Sequence, residues 1–200
     1  KEYDQKLVDT NLIAMNKFRS AFPDIPCAVM LSPTAQELNY SKMPTYNGYL
    51  SQKTFIDYCY GQLENITTID CLSYLSGHNN EYLFYRTDHH WTSLGAYYAY
   101  CSAAKALGIS AYSLSDFDIE TASSDFRGTL YSKTLDNSIT PDTIDYYHLK
   151  SKPTTLTMTV NDGEKETVYD SLYVRDYLGK KDKYSSFTGS NQPIITIETN

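Results

Sequence analysis

Leu7, Val8, Leu12, Met15 and Phe18 recur at close to helical spacing, which predicts an amphipathic helix over residues 3–22. Pro23 and Pro26 end it. Residues 27–33 form a short apolar run stopped by a proline, the pattern of a buried strand. Helix, turn and buried strand together give the rhythm of an α/β layer fold. A polar, Pro-punctuated loop follows over residues 32–48, and open α/β sheets place ligands at loops of this kind, after the C-terminal ends of strands. Residues 51–63 predict a second helix with Ser51 as its cap. Residues 66–75 fit a second strand and its exit, 77–80 a turn, and 81–86 a short strand. Residues 92–108 predict a helix capped by Thr92 or Ser93 and stopped by Gly108, with Leu94, Tyr98, Cys101 and Ala104 on one face.

The second half has a different texture. Residues 110–147 hold few long periodic runs and are punctuated by Gly128 and Pro141. Leu156, Met158 and Val160 then alternate, and a turn at Asn161, Asp162 and Gly163 leads into 164–174, which predicts a β-hairpin. Residues 192–200 read as a last strand, and a chain stopping there is expected to be truncated. One α/β domain over 1–200 with a β-rich excursion at 111–180 is the simplest organisation. A missing final strand and helix would expose apolar surface and favour self-association.

Composition narrows the function classes. The formal net charge is −7 and no long basic cluster exists, which argues against a nucleic-acid partner. No apolar stretch approaches the roughly 18 residues of a membrane span. Twenty tyrosines suit wet, sugar-like or peptide-like surfaces as well as cores. Cys27, Cys59, Cys71 and Cys101 are widely spaced without a Cys-x-x-Cys pair, so they read as buried free thiols, with one disulfide open to a secreted protein.

The candidate chemistry lies ahead of the 92–108 helix. In an extended segment alternate side chains share a face, so Asp88 and His90 point one way and His89 and Trp91 the other. A carboxylate beside an imidazole can orient the ring and stabilise its protonated form, which is the base-and-orienter half of a nucleophilic triad. The same pair also reads as loop residues with satisfied hydrogen bonds. His89 and His90 pointing apart, with no helical His-x-x-x-His spacing, leaves no metal site expected from Asp88, His89, His90 and the distant His78 or His148. No cofactor is expected.

The string Thr87-Asp88-His89-His90-Trp91-Thr92, followed by Gly95-Ala96-Tyr97, resembles the signature of the DHHW-motif proteins of bacteria. That family is similar to SGNH-hydrolase-like proteins of alginate O-acetylation, which carry Thr-Asp-x-His-Trp at this place. Residues 126–134 (FRGTLYSKT) and 182–193 (DKYSSFTGSNQP) also resemble family segments, so the resemblance spans most of the chain. It implies an α/β, SGNH-hydrolase-like (flavodoxin-like) sandwich with a mostly parallel sheet and serine-based acyl chemistry. Carried over by position, Asp88 and His90 are catalytic, and His89 occupies the variable x. The family's nucleophile follows on a later Asp-Ser turn. Asp170-Ser171 is the one Asp-Ser here, but it lies in the predicted hairpin and lacks the small residue a sharp nucleophile turn prefers. The serine is therefore expected beyond residue 200. Asn191 is a candidate oxyanion donor, and Arg86 and Arg127 are candidates for binding a carboxylate or sugar.

These features imply an extracytoplasmic serine esterase or O-acyltransferase acting on cell-surface polysaccharide or acylated carbohydrate. The alternative is a non-catalytic carbohydrate-binding or structural module at the cell surface.

Overall fold

The computed structural model describes residues 3–45, 48–151 and 155–200; residues 46–47 of the expected 32–48 loop lie outside them. The chain forms two compact units, one of residues 1–83 and 94–111, the other of residues 84–93 and 112–200.

The first unit opens with helix α1 (Gln5–Ala21), capped by Asp4, whose side chain accepts from Leu7 N. At its end Arg19 donates to the carbonyls of Phe22, Pro23 and Asn65, fixing the chain as it leaves the helix. Strand β1 (Ala28–Met30) follows, then a single helical turn α2 (Ala35–Leu38) inside the expected loop. Helix α3 (Gln52–Gly61) starts at Ser51, whose hydroxyl accepts from Thr54 N as expected. Strand β2 (Thr67–Ile69) pairs in parallel with β1, closing a β–α–β crossover. The second half of the expected 66–75 strand is instead helix α4 (Cys71–Ser76), because Asp70 caps it by accepting from Ser73 N.

Helix α5 (Ser93–Leu107) ends at Gly108, which adopts φ +69° while Ile109 N reaches back to Ala104 O. Its buried residues are Gly95, Tyr98, Ala99, Ser102 and Ala104. Tyr98 and Ala104 were expected inside, but the buried stripe is turned about one residue from the expected face, leaving Leu94 and Cys101 half-buried. The hydroxyl of Ser93, a candidate cap, donates instead to Asp145 O. All four cysteines are free thiols, Cys59 and Cys71 buried, Cys27 and Cys101 half-buried.

The second unit is built on antiparallel strands. Strand β3 (Phe117–Phe126), helix α6 (Thr129–Thr134) and strand β4 (Asp142–Leu149) come first, with β3 and β4 paired. Strand β5 (Leu156–Asn161) pairs with β6 (Glu166–Tyr169) through the expected Asn161-Asp162-Gly163 turn, and with β7 (Ile194–Thr199) on its other edge. Met158, Val160 and Val174 form a core here, and Tyr146 stacks on Tyr173 with ring centroids 3.9 Å apart. The Tyr173 hydroxyl donates to Tyr147 O and accepts from Tyr147 N, so a tyrosine serves as apolar plate and polar pin at once.

Two expectations need correction. Among the described residues three of the four strand pairings are antiparallel, so the sheets are not mostly parallel. Among the described residues one βαβ crossover occurs, between β1 and β2, and the later strands pair antiparallel, β5 and β6 across a tight turn, β3 and β4 across helix α6, and β5 and β7 across a longer segment. The strand at 27–33 is also not buried: Ala28 and Met30 are exposed and Val29 half-buried. Among the described residues β1 is paired along one edge only. A groove of about 710 Å³ runs beside it, lined by apolar residues including Met15, Phe18, Ile25 and Val29.

Two outcomes follow. The exposed apolar side chains of α1 and β1 should make this chain self-associate, and Phe18→Glu should reduce the association in sedimentation velocity. A wild-type chain that stays monomeric at high concentration would contradict this. Glu120 on β3 accepts from both terminal nitrogens of Arg175 and bonds His148 Nε2, and these partners lower its pKa from 4.5 to about 2. A carboxyl depressed in the fold adds stability above its unfolded pKa and loses it as pH falls. The stability advantage of wild type over Glu120→Gln should therefore shrink between about pH 4.5 and about pH 2, measured by thermal melts across that range.

Candidate active site

Residues 84–92 are not extended, as the alternation argument assumed. Phe84 and Trp91 form an antiparallel bridge and Tyr85 N donates to His90 O, so the segment between them closes into a tight loop. Trp91 thus braces the loop through its backbone pairing. Inside the loop Asp142, the fully buried first residue of β4, accepts from Arg86 N at 2.9 Å, Thr87 N at 2.7 Å and the Thr87 hydroxyl at 2.5 Å. The Thr87 carbonyl accepts from Leu130 N and Tyr131 N, and Gly128 N donates to the Thr87 hydroxyl. The start of α6 is therefore stitched to Thr87 on both sides.

That stitching delivers Thr129 to Asp88. Thr129 N and its hydroxyl donate to Asp88 Oδ2 at 2.7 and 3.0 Å, while His90 N and Nδ1 meet Oδ1 at 3.0 and 2.5 Å. Asp88 is only 3% exposed. Burial alone pushes its pKa up, but the four hydrogen bonds from Thr129 and His90 outweigh burial and hold it below the usual carboxylate value. The group is a carboxylate, which only accepts, so His90 donates to it through a proton on Nδ1. His90 remains 36% exposed. Tyr184 lies parallel to its ring at 4.0 Å. Burial, and then the charge of Asp88, push the Tyr184 phenol up, so the stacking partner stays neutral.

His89 does not point away from His90. Their ring centroids are 3.9 Å apart, because the closed loop replaces the alternation of an extended strand. His89 Nδ1 lies 2.7 Å from the Thr129 hydroxyl. One ligand atom from each of Asp88, His89 and His90 lies within 4.8 Å of the others, so this is the cluster among the described residues able to hold a metal ion. The geometric reason for expecting no metal here is thereby corrected.

Asp88 and His90 are brought together as expected. Arg86 contributes its backbone N–H to Asp142, and its guanidinium lies 3.5 Å from the same carboxylate. Arg127 donates to Ile139 O and covers the Tyr131 ring, so its partners are structural. Asn191 is exposed just before β7, and no contact among the described residues ties it to His90. The Ser171 hydroxyl accepts from Tyr173 N after β6, not on a strand-to-helix turn. Sequence reasoning missed Thr87, Gly128, Thr129, Asp142 and Tyr184 as site residues. Gly128, Thr129 and Tyr184 sit in the two segments at 126–134 and 182–193, a signal that was present; Asp142 carried none. A Cβ on Gly128 would lie 2.3 Å from the Asp88 side chain. Gly128→Ala should therefore cost about 1–3 kcal/mol in denaturant unfolding, and an unchanged midpoint would contradict the close approach.

Several known proteins are similar to this chain. The family model described as DHHW protein matches residues 14–200. No curated protein matches the chain. A DHHW family protein from Eubacterium siraeum DSM 15702 superposes with a TM-score of 0.77 at 30% identity, covering 94% of this chain and 63% of that one. The chain thus spans less than two thirds of that relative. PatB1 of Bacillus cereus, solved with a sulfonyl adduct, gives a TM-score of 0.81 at 17% identity, covering 100% of this chain and 69% of that one. The O-acetyltransferase domain of Pseudomonas putida AlgJ gives 0.50 at 16% identity, covering 74% of this chain and 59% of that one. These likenesses support a mixed α/β fold of the PatB1 kind. With its Asp88-His89-His90-Trp91 loop set as described, the chain belongs to the DHHW protein family.

Proposed function

We propose that this chain carries the acid–base half of an SGNH-type serine acyl-transfer site, an esterase or O-acyltransferase working outside the cytoplasm on cell-surface polysaccharide. The observation that carries the reading is the buried Asp88 carboxylate 2.5 Å from His90 Nδ1, which leaves Nε2 as the ring nitrogen to serve as base. Membership of the DHHW family and a fold like that of an O-acetyltransferase domain support it.

The chemistry follows from those atoms. His90 Nε2 takes the proton of a serine hydroxyl as its oxygen attacks the acyl carbonyl carbon. Asp88 stabilises the imidazolium that forms, through the Nδ1 proton. The tetrahedral adduct collapses to an acyl-serine, and His90 returns the proton to the departing alcohol oxygen. Water or a sugar hydroxyl then attacks the acyl-serine by the same steps in reverse, giving hydrolysis or transfer. Among the described residues no serine hydroxyl is bonded to His90, so the reading places the nucleophile outside the 200 residues.

The test uses the full-length protein and a serine-directed fluorophosphonate, with the adduct located by mass spectrometry. One labelled serine outside residues 1–200 is expected, with the labelling rate falling roughly 10²–10⁴-fold in His90→Ala. An adduct on Ser171, or none on folded protein, would overturn the reading; the second result would favour a carbohydrate-binding or structural module.

A further inference from the structure

The hydrogen-bond accounting at Asp88 has a consequence for His89. The Thr129 hydroxyl has one proton and gives it to Asp88 Oδ2, which only accepts. It must therefore accept from His89, so His89 Nδ1 carries a proton and Nε2 is the ring nitrogen left to bind a metal. His90 is in the same state, with Nδ1 on Asp88. The two imidazoles thus sit with centroids 3.9 Å apart, each with Nδ1 held by an oxygen, and among the described residues neither Nε2 has a hydrogen-bond partner.

Imidazoles that bind metals are arranged in this way. The ring nitrogen away from the ion is held by a carboxylate, carbonyl or other oxygen, which fixes the tautomer and raises the basicity of the ligating nitrogen. A zinc ion with Zn–N bonds of about 2.0–2.1 Å needs two nitrogens roughly 3.3 Å apart in tetrahedral geometry. The ring centroids are 3.9 Å apart, a ligand atom of each ring lies within 4.8 Å of the other's, and the side chains are 58% and 36% exposed, so one ion can be approached by both. Asp88 already accepts four hydrogen bonds, so it serves as the anionic group behind His90 and not as a direct ligand.

We infer that His89 and His90 form a binding site for one divalent transition-metal ion of the zinc type, held through the two Nε2 atoms. An ion there occupies the lone pair that the acyl-transfer reading assigns to the base, so it acts as a reversible inhibitor. The inhibition rests on that reading; the binding does not.

Calorimetric titration of the full-length protein with zinc chloride tests the binding without reference to activity. One saturable equivalent is expected, weakened at least tenfold by His89→Gln and by His90→Gln and unchanged in the His78→Ala, His148→Ala double variant. Proton NMR of the imidazole signals covers the case of a variant that fails to fold: zinc should shift those of His89 and His90 in the wild type and leave those of His78 and His148 in place. No saturable binding, undiminished binding in His89→Gln, or shifts confined to His78 or His148 would overturn the inference. If the fluorophosphonate reacts, zinc should slow labelling in the wild type and not in His89→Gln. Slowing that persists in His89→Gln would overturn the inhibition alone.

Discussion

Two buried carboxylates meet at one threonine: Asp88 follows Thr87 in the chain, and Asp142 receives the Thr87 N–H and hydroxyl. Withdrawing an ionised carboxylate from water costs several kcal/mol unless strong donors replace the solvent. Here those donors are largely the loop's own backbone, Arg86 N and Thr87 N for Asp142, His90 N for Asp88, with Thr129 N from the start of α6. A loop that opened would leave one or both carboxylates buried and short of donors. The conformation of residues 84–92 is therefore set by the demand to satisfy two acids, and His90 inherits its position from that demand.

The same constraint explains what the sequence revealed and what it concealed. Local patterns were readable: the α1 stripe, the Ser51 cap, the Asn161-Asp162-Gly163 hairpin turn and the final strand each depend on residues close in the chain. Strands β3 and β4 were not, because β3 has register irregularities between Thr121 and Ser123 and between Ser123 and Phe126. Each bulge shifts the inside–outside alternation that marks a strand. The Asp88–His90 pair was legible because its members are two residues apart. Thr129 lies 41 residues from Asp88 and Asp142 lies 55 from Thr87, distances at which spacing carries no information. His89 was misplaced for a related reason: the alternation rule holds for extended backbone, and closing the loop on Asp142 removes the extension.

The site also shows how a small set of acceptors fixes protons on several groups at once. Asp88 is ionised, so it forces the Thr129 hydroxyl and His90 Nδ1 to donate; the Thr129 hydroxyl, having given its proton, forces His89 Nδ1 to donate in turn. One buried carboxylate thus makes Nδ1 the donating nitrogen of two histidines. Tyr184 completes the arrangement from the 182–193 segment by covering a face of His90 with a ring that stays neutral.

All of these residues, from Arg86 to Tyr184, belong to the unit of residues 84–93 and 112–200. The orientation of the His90 ring is therefore fixed by one unit's internal hydrogen bonds. Such preparation determines what His90 can do, which is to accept a proton or a Lewis acid at Nε2, but it contains nothing that distinguishes one acyl group or one sugar from another. Selectivity has to come from groups that touch the substrate, and of the candidates for such contacts Arg86 is engaged with Asp142, Arg127 with Ile139 O and the Tyr131 ring, and Asn191 has no contact with His90 among the described residues. On the acyl-transfer reading, then, the loop at 84–92 and the start of α6 form a fixed acid–base unit, and that reading leaves specificity to the surface that supplies the nucleophile and the acceptor.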